Sequence, residues 1–205
     1  LIDVTWLLHR PSSSDSPELP TEVKAQDGYA IRKITRDELA GLRAKGLIDP
    51  QGGDFHSEMS QTTTLVAAYQ AERVVSFAWF ANRSIEATRN YSRADHLGTS
   101  IEQRDGSAFV YNAWTDRDHR GKRLMASIVT WAIRNDVGES KSLATMIDWT
   151  NQKSIRAFER FGMRRIGLVI RMGLGRWQIS LVPSAARKAG MEVAGAAPGV
   201  RLAVL

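Results

Sequence analysis

Four cations and a histidine crowd into seven residues, Arg117-Asp118-His119-Arg120-Gly121-Lys122-Arg123, between an apolar, aromatic run (Phe109 to Thr115) and a helical pattern (Leu124 to Asn135). Amides at a helix start have no intrahelical partner, and the helix dipole favours negative charge there. With Lys122 and Arg123 added, Arg120-Gly121-Lys122-Arg123-Leu124-Met125 has the makings of a cradle for a pyrophosphate. Further on, Asn151-Gln152-Lys153-Ser154 opens a second helix that carries Phe158 and ends at Gly162-Met163. Asn151 is a good helix cap and also a side-chain amide able to bond a ligand. A basic loop ahead of a helix and a capping asparagine each have a purely structural explanation. Their joint occurrence, in this order and at this separation, points to an anionic ligand.

The elements that must position these residues follow from local pattern. Tyr29 to Ile34 alternates as a strand, and Thr35-Arg36-Asp37-Glu38 reads as a capped helix start burying Leu39, Leu42 and Leu47. Gly52 and Gly53 mark a loop. Thr64 to Gln70 and Arg73 to Phe80 flank Ala71-Glu72 as a hairpin. Asn82 to Gly106 is a long polar excursion, Ala108 to Thr115 a strand, and Leu143 to Trp149 another. Leu124, Ile128 and Trp131, with Met125, Val129 and Ala132 beside them, form a helix face that packs on a sheet. Arg165 to Met172 and Trp177 to Val182 form a second hairpin through Gly173-Leu174-Gly175. Ile2 to Leu8 is a short strand or an arm. The expected organisation is an N-terminal arm and linker over residues 1–20, one mixed α/β (α+β) domain over 21–183, and a tail or arm over 184–205.

Composition narrows the chemistry. A chain of 205 residues without cysteine has no thiolate nucleophile, no cysteine-ligated metal and no need of staples. His9, His56, His96 and His119 lack ligand spacing, so no metal is expected. The net charge of +6 favours anionic partners, but there is no Lys/Arg run dense enough for a nucleic-acid arm. No apolar run approaches the ~18–20 residues of a membrane span. Leu1 to Arg10 is too short for a signal peptide, and a start at Leu1 suggests that the native N-terminus lies upstream. A cytoplasmic protein is the expectation.

The stretch from Phe109 to Arg171 resembles the GNAT superfamily of acyl-CoA-dependent N-acetyltransferases. Arg120, Gly121, Lys122, Arg123, Leu124 and Met125 match its Arg/Gln-x-x-Gly-x-Gly/Ala pyrophosphate loop. Asn151, Ser154, Phe158, Gly162 and Met163 match the later segment that lines the pantetheine arm and thiol. The resemblance implies a twisted, mixed, mostly antiparallel sheet flanked by helices and opening at its central strands. It implies acetyl-CoA or another acyl-CoA as donor, and an amine on a small molecule or protein as acceptor. Transfer would be by direct attack, with Asn112, Ala113 and Trp114 on the cofactor-binding strand that supplies an oxyanion-binding N–H.

Three residues depart from the family pattern. Arg123 stands where glycine is usual, Met125 where glycine or alanine is, and Phe158 where a tyrosine often protonates the thiolate. A thiol of pKa roughly 8.5 leaves tolerably without help, and Tyr111 is the candidate substitute acid if it faces the thiol; packing in the core or sheet is the other reading. Trp79, Phe80 and Trp114 either line an acceptor cleft or pack the core. Asp116, Asp118 and Glu102 are the nearest carboxylates, and each reads better as a surface charge than as a base. The same residues also admit a longer-chain acyltransferase fed by an acyl carrier protein, or a non-catalytic binding module of this fold. Edge strands and arms would allow a homodimer.

Overall fold

The structure, a computed structural model, describes residues 1–12, 28–49, 62–104, 106–137 and 142–205. Gly52, Gly53 and most of the expected linker lie outside these residues. The chain forms two compact units: Leu1–Pro17, Asn82–Tyr111 and Ser140–Leu205 make the first, and Glu18–Ala81 with Asn112–Glu139 the second. No described helix is long and apolar enough to cross a membrane.

In the second unit, β2 (Ala30–Ile34) leads into α1 (Arg36–Ala44), where the Thr35 hydroxyl accepts from the Glu38 N–H at 3.3 Å. Leu39 and Leu42 are buried on its inner face, while Leu47 lies past the helix end and is only half-buried. The hairpin β3 (Thr63–Gln70) and β4 (Arg73–Ala81) turns through Ala71 at φ 52°, and β2 pairs antiparallel with β3. From Val74 to Ala81 every residue of β4 is buried. Such a strand is covered on both faces; α2 (Leu124–Ala132) packs across β2, β3 and β4. Beyond Ala132 the helical pattern continues only as a π turn, Ile133–Val137.

The first unit holds the start of β7 (Ser107–Thr115), which pairs in parallel with β8 (Ser142–Asp148) over Ser107 to Val110. Ile2–Arg10, expected as a short strand or an arm, is β1, a strand paired antiparallel with β8 on one side and β9 (Arg164–Leu174) on the other. Next come β10 (Trp177–Leu181) and β12 (Arg201–Val204), giving the order β12-β10-β9-β1-β8-β7. The Asn82–Gly106 excursion carries two strands of its own, β5 (Ser84–Ile85) and β6 (Thr99–Gln103). β6 pairs with β11 (Met191–Ala196), so residues 184–205 hold α4 (Ser184–Lys188), β11 and β12 where a tail or arm was expected. The excursion lies close on the sheet: a Cβ on Gly173 would stand 2.5 Å from a Leu97 methyl.

Beneath it the sheet is polar. Asp3 and Arg171, opposite each other on β1 and β9, are fully buried and joined at 2.9 Å. Arg171 also donates to the Thr99 hydroxyl at 3.2 Å and to Met146 Sδ at 3.0 Å. Gln178 and Ser180 of β10 are buried too.

Candidate anion-binding turn and helix-cap site

The basic turn belongs to the second unit. Asp116 starts it: its N–H donates to Val75 O at 2.9 Å, and its carboxylate accepts from the Asp118 N–H at 3.0 Å and pairs with Arg73 at 3.5 Å. A single 3-10 turn, Arg117–His119, follows. Arg120 Nε donates to Thr115 O at 3.2 Å, tying the turn back to the end of β7. Gly121 takes φ 81° with open space around its Cβ position, and Arg123 takes φ 60°, ψ 17° as the residue before α2. Glycine takes this left-handed conformation freely; here an arginine holds it, at a steric cost of roughly 1–2 kcal/mol. Among the described residues no side chain caps α2, and no acidic residue sits in its first turn, so the amides of Leu124, Met125 and Ala126 stand at an uncompensated helix N-terminus.

Lys122 is held in place by a partner that local pattern does not reveal. Its Nζ donates to the Tyr29 hydroxyl at 2.9 Å, and Tyr29 in turn lies 2.9 Å from His119 Nδ1, the two rings meeting edge to face. A lysine ammonium can only donate, so Tyr29 accepts from it and is left with one proton to give His119. His119 therefore orders the loop, and Lys122 keeps two donors for an anion. Arg120, Gly121 and Arg123 are exposed, Lys122 and Met125 half-buried, and Leu124 is in the core. This cluster fits a polyphosphate: helix-start amides without a side-chain cap, an open glycine and cations with unused donors all favour negative charge.

Ahead of the turn, Asn112 breaks the regular strand at φ 47°, with its Nδ2 buried and without a partner among the described residues. Ala113 is exposed. Trp114 stacks on Phe77 at 5.4 Å, and its carbonyl accepts from Ser76 Oγ at 2.9 Å. Trp79 and Phe80 are fully buried, so they build the core of this unit.

The first unit carries the second cluster. Asn151 caps α3 (Gln152–Glu159), its Oδ1 accepting from the Ser154 N–H at 3.2 Å. Asn151 is exposed, Ser154 half-buried, and Phe158 buried edge to face against Phe161 at 6.0 Å. Gly162, at φ 79°, closes the helix. The turn before Asn151 is built on Asp148, which sequence reasoning missed because its partners come from the distant excursion. Arg93 grips Asp148 through two nitrogens, Ser92 donates to it at 2.8 Å, and the Thr150 N–H at 2.8 Å.

Tyr111, the candidate acid, is buried, with Arg89 and Glu86 as its charged neighbours. Burial pushes its phenol up to about 12, with Arg89 pulling the other way. A phenol so placed stays protonated at neutral pH but gives up its proton less readily than a free tyrosine.

No family model and no curated protein matches the sequence. Solved structures do. The chain is similar to a GNAT-family protein from Novosphingobium aromaticivorans DSM 12444 (TM-score 0.52, 14% identity, covering 83% of this chain and 63% of that one). It is similar to a GCN5-related N-acetyltransferase-like protein from Streptococcus suis 89/1591 (TM-score 0.52, 11% identity, 83% and 60%). A third is the glucosamine N-acetyltransferase region of a fungal multi-domain GH3 β-N-acetylglucosaminidase (TM-score 0.51, 15% identity, 81% and 20%). The chain thus spans about three-fifths of the length of the first two. The fold is that of the GNAT proteins, mixed α/β with a mostly antiparallel sheet.

Proposed function

We propose that this chain is an acyl-CoA-dependent N-acyltransferase of GNAT type. The observation that carries the reading is the uncapped start of α2 behind an open Gly121, with Lys122 pre-placed by Tyr29. In this reading Arg120, Lys122, Arg123 and the amides of Leu124 and Met125 hold the pyrophosphate of acetyl-CoA or another acyl-CoA. Asn112, Ala113, Trp114, Asn151, Ser154 and Phe158 contribute the further contacts that the resemblance implies. An acyl-CoA supplies a thioester carbonyl and a thiol that leaves. The acceptor is an amine, attacking directly because the chain has no cysteine for a covalent intermediate.

Phe158 donates no proton and burial pushes the Tyr111 phenol up to about 12, so neither is an effective acid for the departing thiolate. Those two residues equally support a second reading, a module of this fold that binds CoA without turnover. A panel of acetyl-, medium- and long-chain acyl-CoA donors, scored for free-thiol release with several amine classes, separates the two. Thiol release that requires both donor and amine supports transfer. Binding without release across the panel supports the module, and turnover confined to long-chain donors supports the carrier-protein variant of the enzyme.

A further inference from the structure

The two residues that place Lys122 also decide where a proton sits beside the basic turn. Tyr29 and His119 lie in the same unit as the turn, and both are half-buried. Among the described residues Tyr29 is the one hydrogen-bond partner of the His119 ring, its hydroxyl 2.9 Å from Nδ1, and the same hydroxyl accepts from Lys122 Nζ at 2.9 Å. The other charged groups of the turn are placed elsewhere. Asp116 pairs with Arg73 and accepts from the Asp118 N–H, Arg120 Nε donates to Thr115 O, and the Arg117 and Asp118 side chains are exposed. Among the described residues no carboxylate pairs with the imidazole.

Neutral His119 accepts the Tyr29 proton at Nδ1. A protonated imidazole carries N–H on both nitrogens and can only donate. Tyr29 then accepts from His119 and Lys122 together, and its own proton must turn to a third acceptor. An oxygen of a phosphate held by Lys122 supplies that acceptor. The same phosphate offsets the two cations that would otherwise share one phenol oxygen. We propose that Tyr29 and His119 are positioning residues that couple proton uptake to anion binding, so that the turn, on the reading that it binds the pyrophosphate of an acyl-CoA, holds that anion more tightly once His119 is protonated. By linkage the coupling runs both ways: a bound anion favours the protonated imidazole by the factor by which protonation favours the anion. Affinity is gained as the pH falls through the range in which imidazoles change charge, about pH 5–8 in general, and lost as it rises.

Calorimetric titration of CoA into the whole chain at about pH 8 and about pH 6 tests this, with His119→Gln and Tyr29→Phe measured alongside. The 3′-phosphate of CoA titrates in the same range, and comparison with the variants cancels its effect. Between the two pH values the CoA affinity of the parent should rise at least about fivefold more than that of His119→Gln, the low end of usual coupling between sites. Tyr29→Phe keeps both rings but cuts the chain of bonds, and should forfeit most of that gain. Titrations in buffers of different ionisation enthalpy should show the parent taking up more protons on binding than His119→Gln, a readout that a merely structural histidine leaves unmoved. CoA binding with the same pH dependence and proton uptake in parent and His119→Gln would overturn the proposal while the pyrophosphate reading stands, as would the full gain in Tyr29→Phe. No CoA binding at either pH would overturn both.

Discussion

Arg93 holds Asp148 through two nitrogens, Nε at 2.7 Å from Oδ2 and Nη2 at 3.1 Å from Oδ1. It thereby fastens the excursion to the turn that caps α3, since the Asn151 N–H donates to the Asp148 carbonyl at 2.9 Å. Burial raises the Asp148 pKa, but Arg93, Thr150 and Ser92 outweigh it and hold the carboxyl well below the usual range. A depressed carboxyl contributes stability above its unfolded value of about 3.9, lost as pH falls below that through the folded value. Asp148→Asn should therefore melt lower than the parent at pH 7, with the gap narrowing as the pH is taken towards ~2–3. Thermal melts across that range check it.

What could be read from sequence was local. Thr35 with Glu38, the Ala71-Glu72 turn and the left-handed Gly162 each declare themselves within four or five residues, and all three stand in the structure. The basic turn was legible for the same reason. Tyr29, which orients Lys122, lies 93 residues away and leaves no local trace. The place of β1 was equally hidden: its neighbours β8 and β9 come from the other end of the chain, and Asp3 meets Arg171 across 168 residues. β6 is short and carries Glu102, so it reads as loop until β11 pairs with it.

Arg123 carries a left-handed backbone that glycine would adopt at little cost. Arg123→Gly should stabilise the chain by about 1 kcal/mol, an increase in Tm of roughly 2–4 °C for this size. If the guanidinium reads a phosphate, the same variant binds CoA more weakly. Calorimetry and a thermal melt on one sample measure these opposite signs.

Tyr111 should titrate late. With its phenol raised to about 12, the stability it contributes is complete below about 10 and is lost as the pH rises through the folded value. Burial also raises Tyr69, beside Glu38. Phenolate absorbance should show Tyr111 and Tyr69 ionising late, and Tyr111→Phe should remove one of these two late steps. Turnover in Tyr111→Phe should fall by no more than a few-fold, because so weak an acid contributes little.

The buried Asp3–Arg171 pair should couple strongly. Either Asp3→Asn or Arg171→Met alone strands a buried polar partner and should cost about 3–5 kcal/mol. Asp3→Val with Arg171→Met removes both charges and should recover much of that loss. Urea denaturation of the two single variants and the double variant gives the cycle.

In the proposed function, the turn from Arg120 to Met125 binds the pyrophosphate of an acyl-CoA. Its most direct test is calorimetric titration of CoA and acetyl-CoA into the chain and into Lys122→Met/Arg123→Gly, which loses two cations while easing the backbone. Binding to the parent should be saturable, weaken with salt and fall at least tenfold in the variant, consistent with the loss of charge-assisted bonds worth roughly 1.5–3 kcal/mol each. No binding of CoA or any acyl-CoA by the parent, or binding that ignores the loss of both cations, would contradict it.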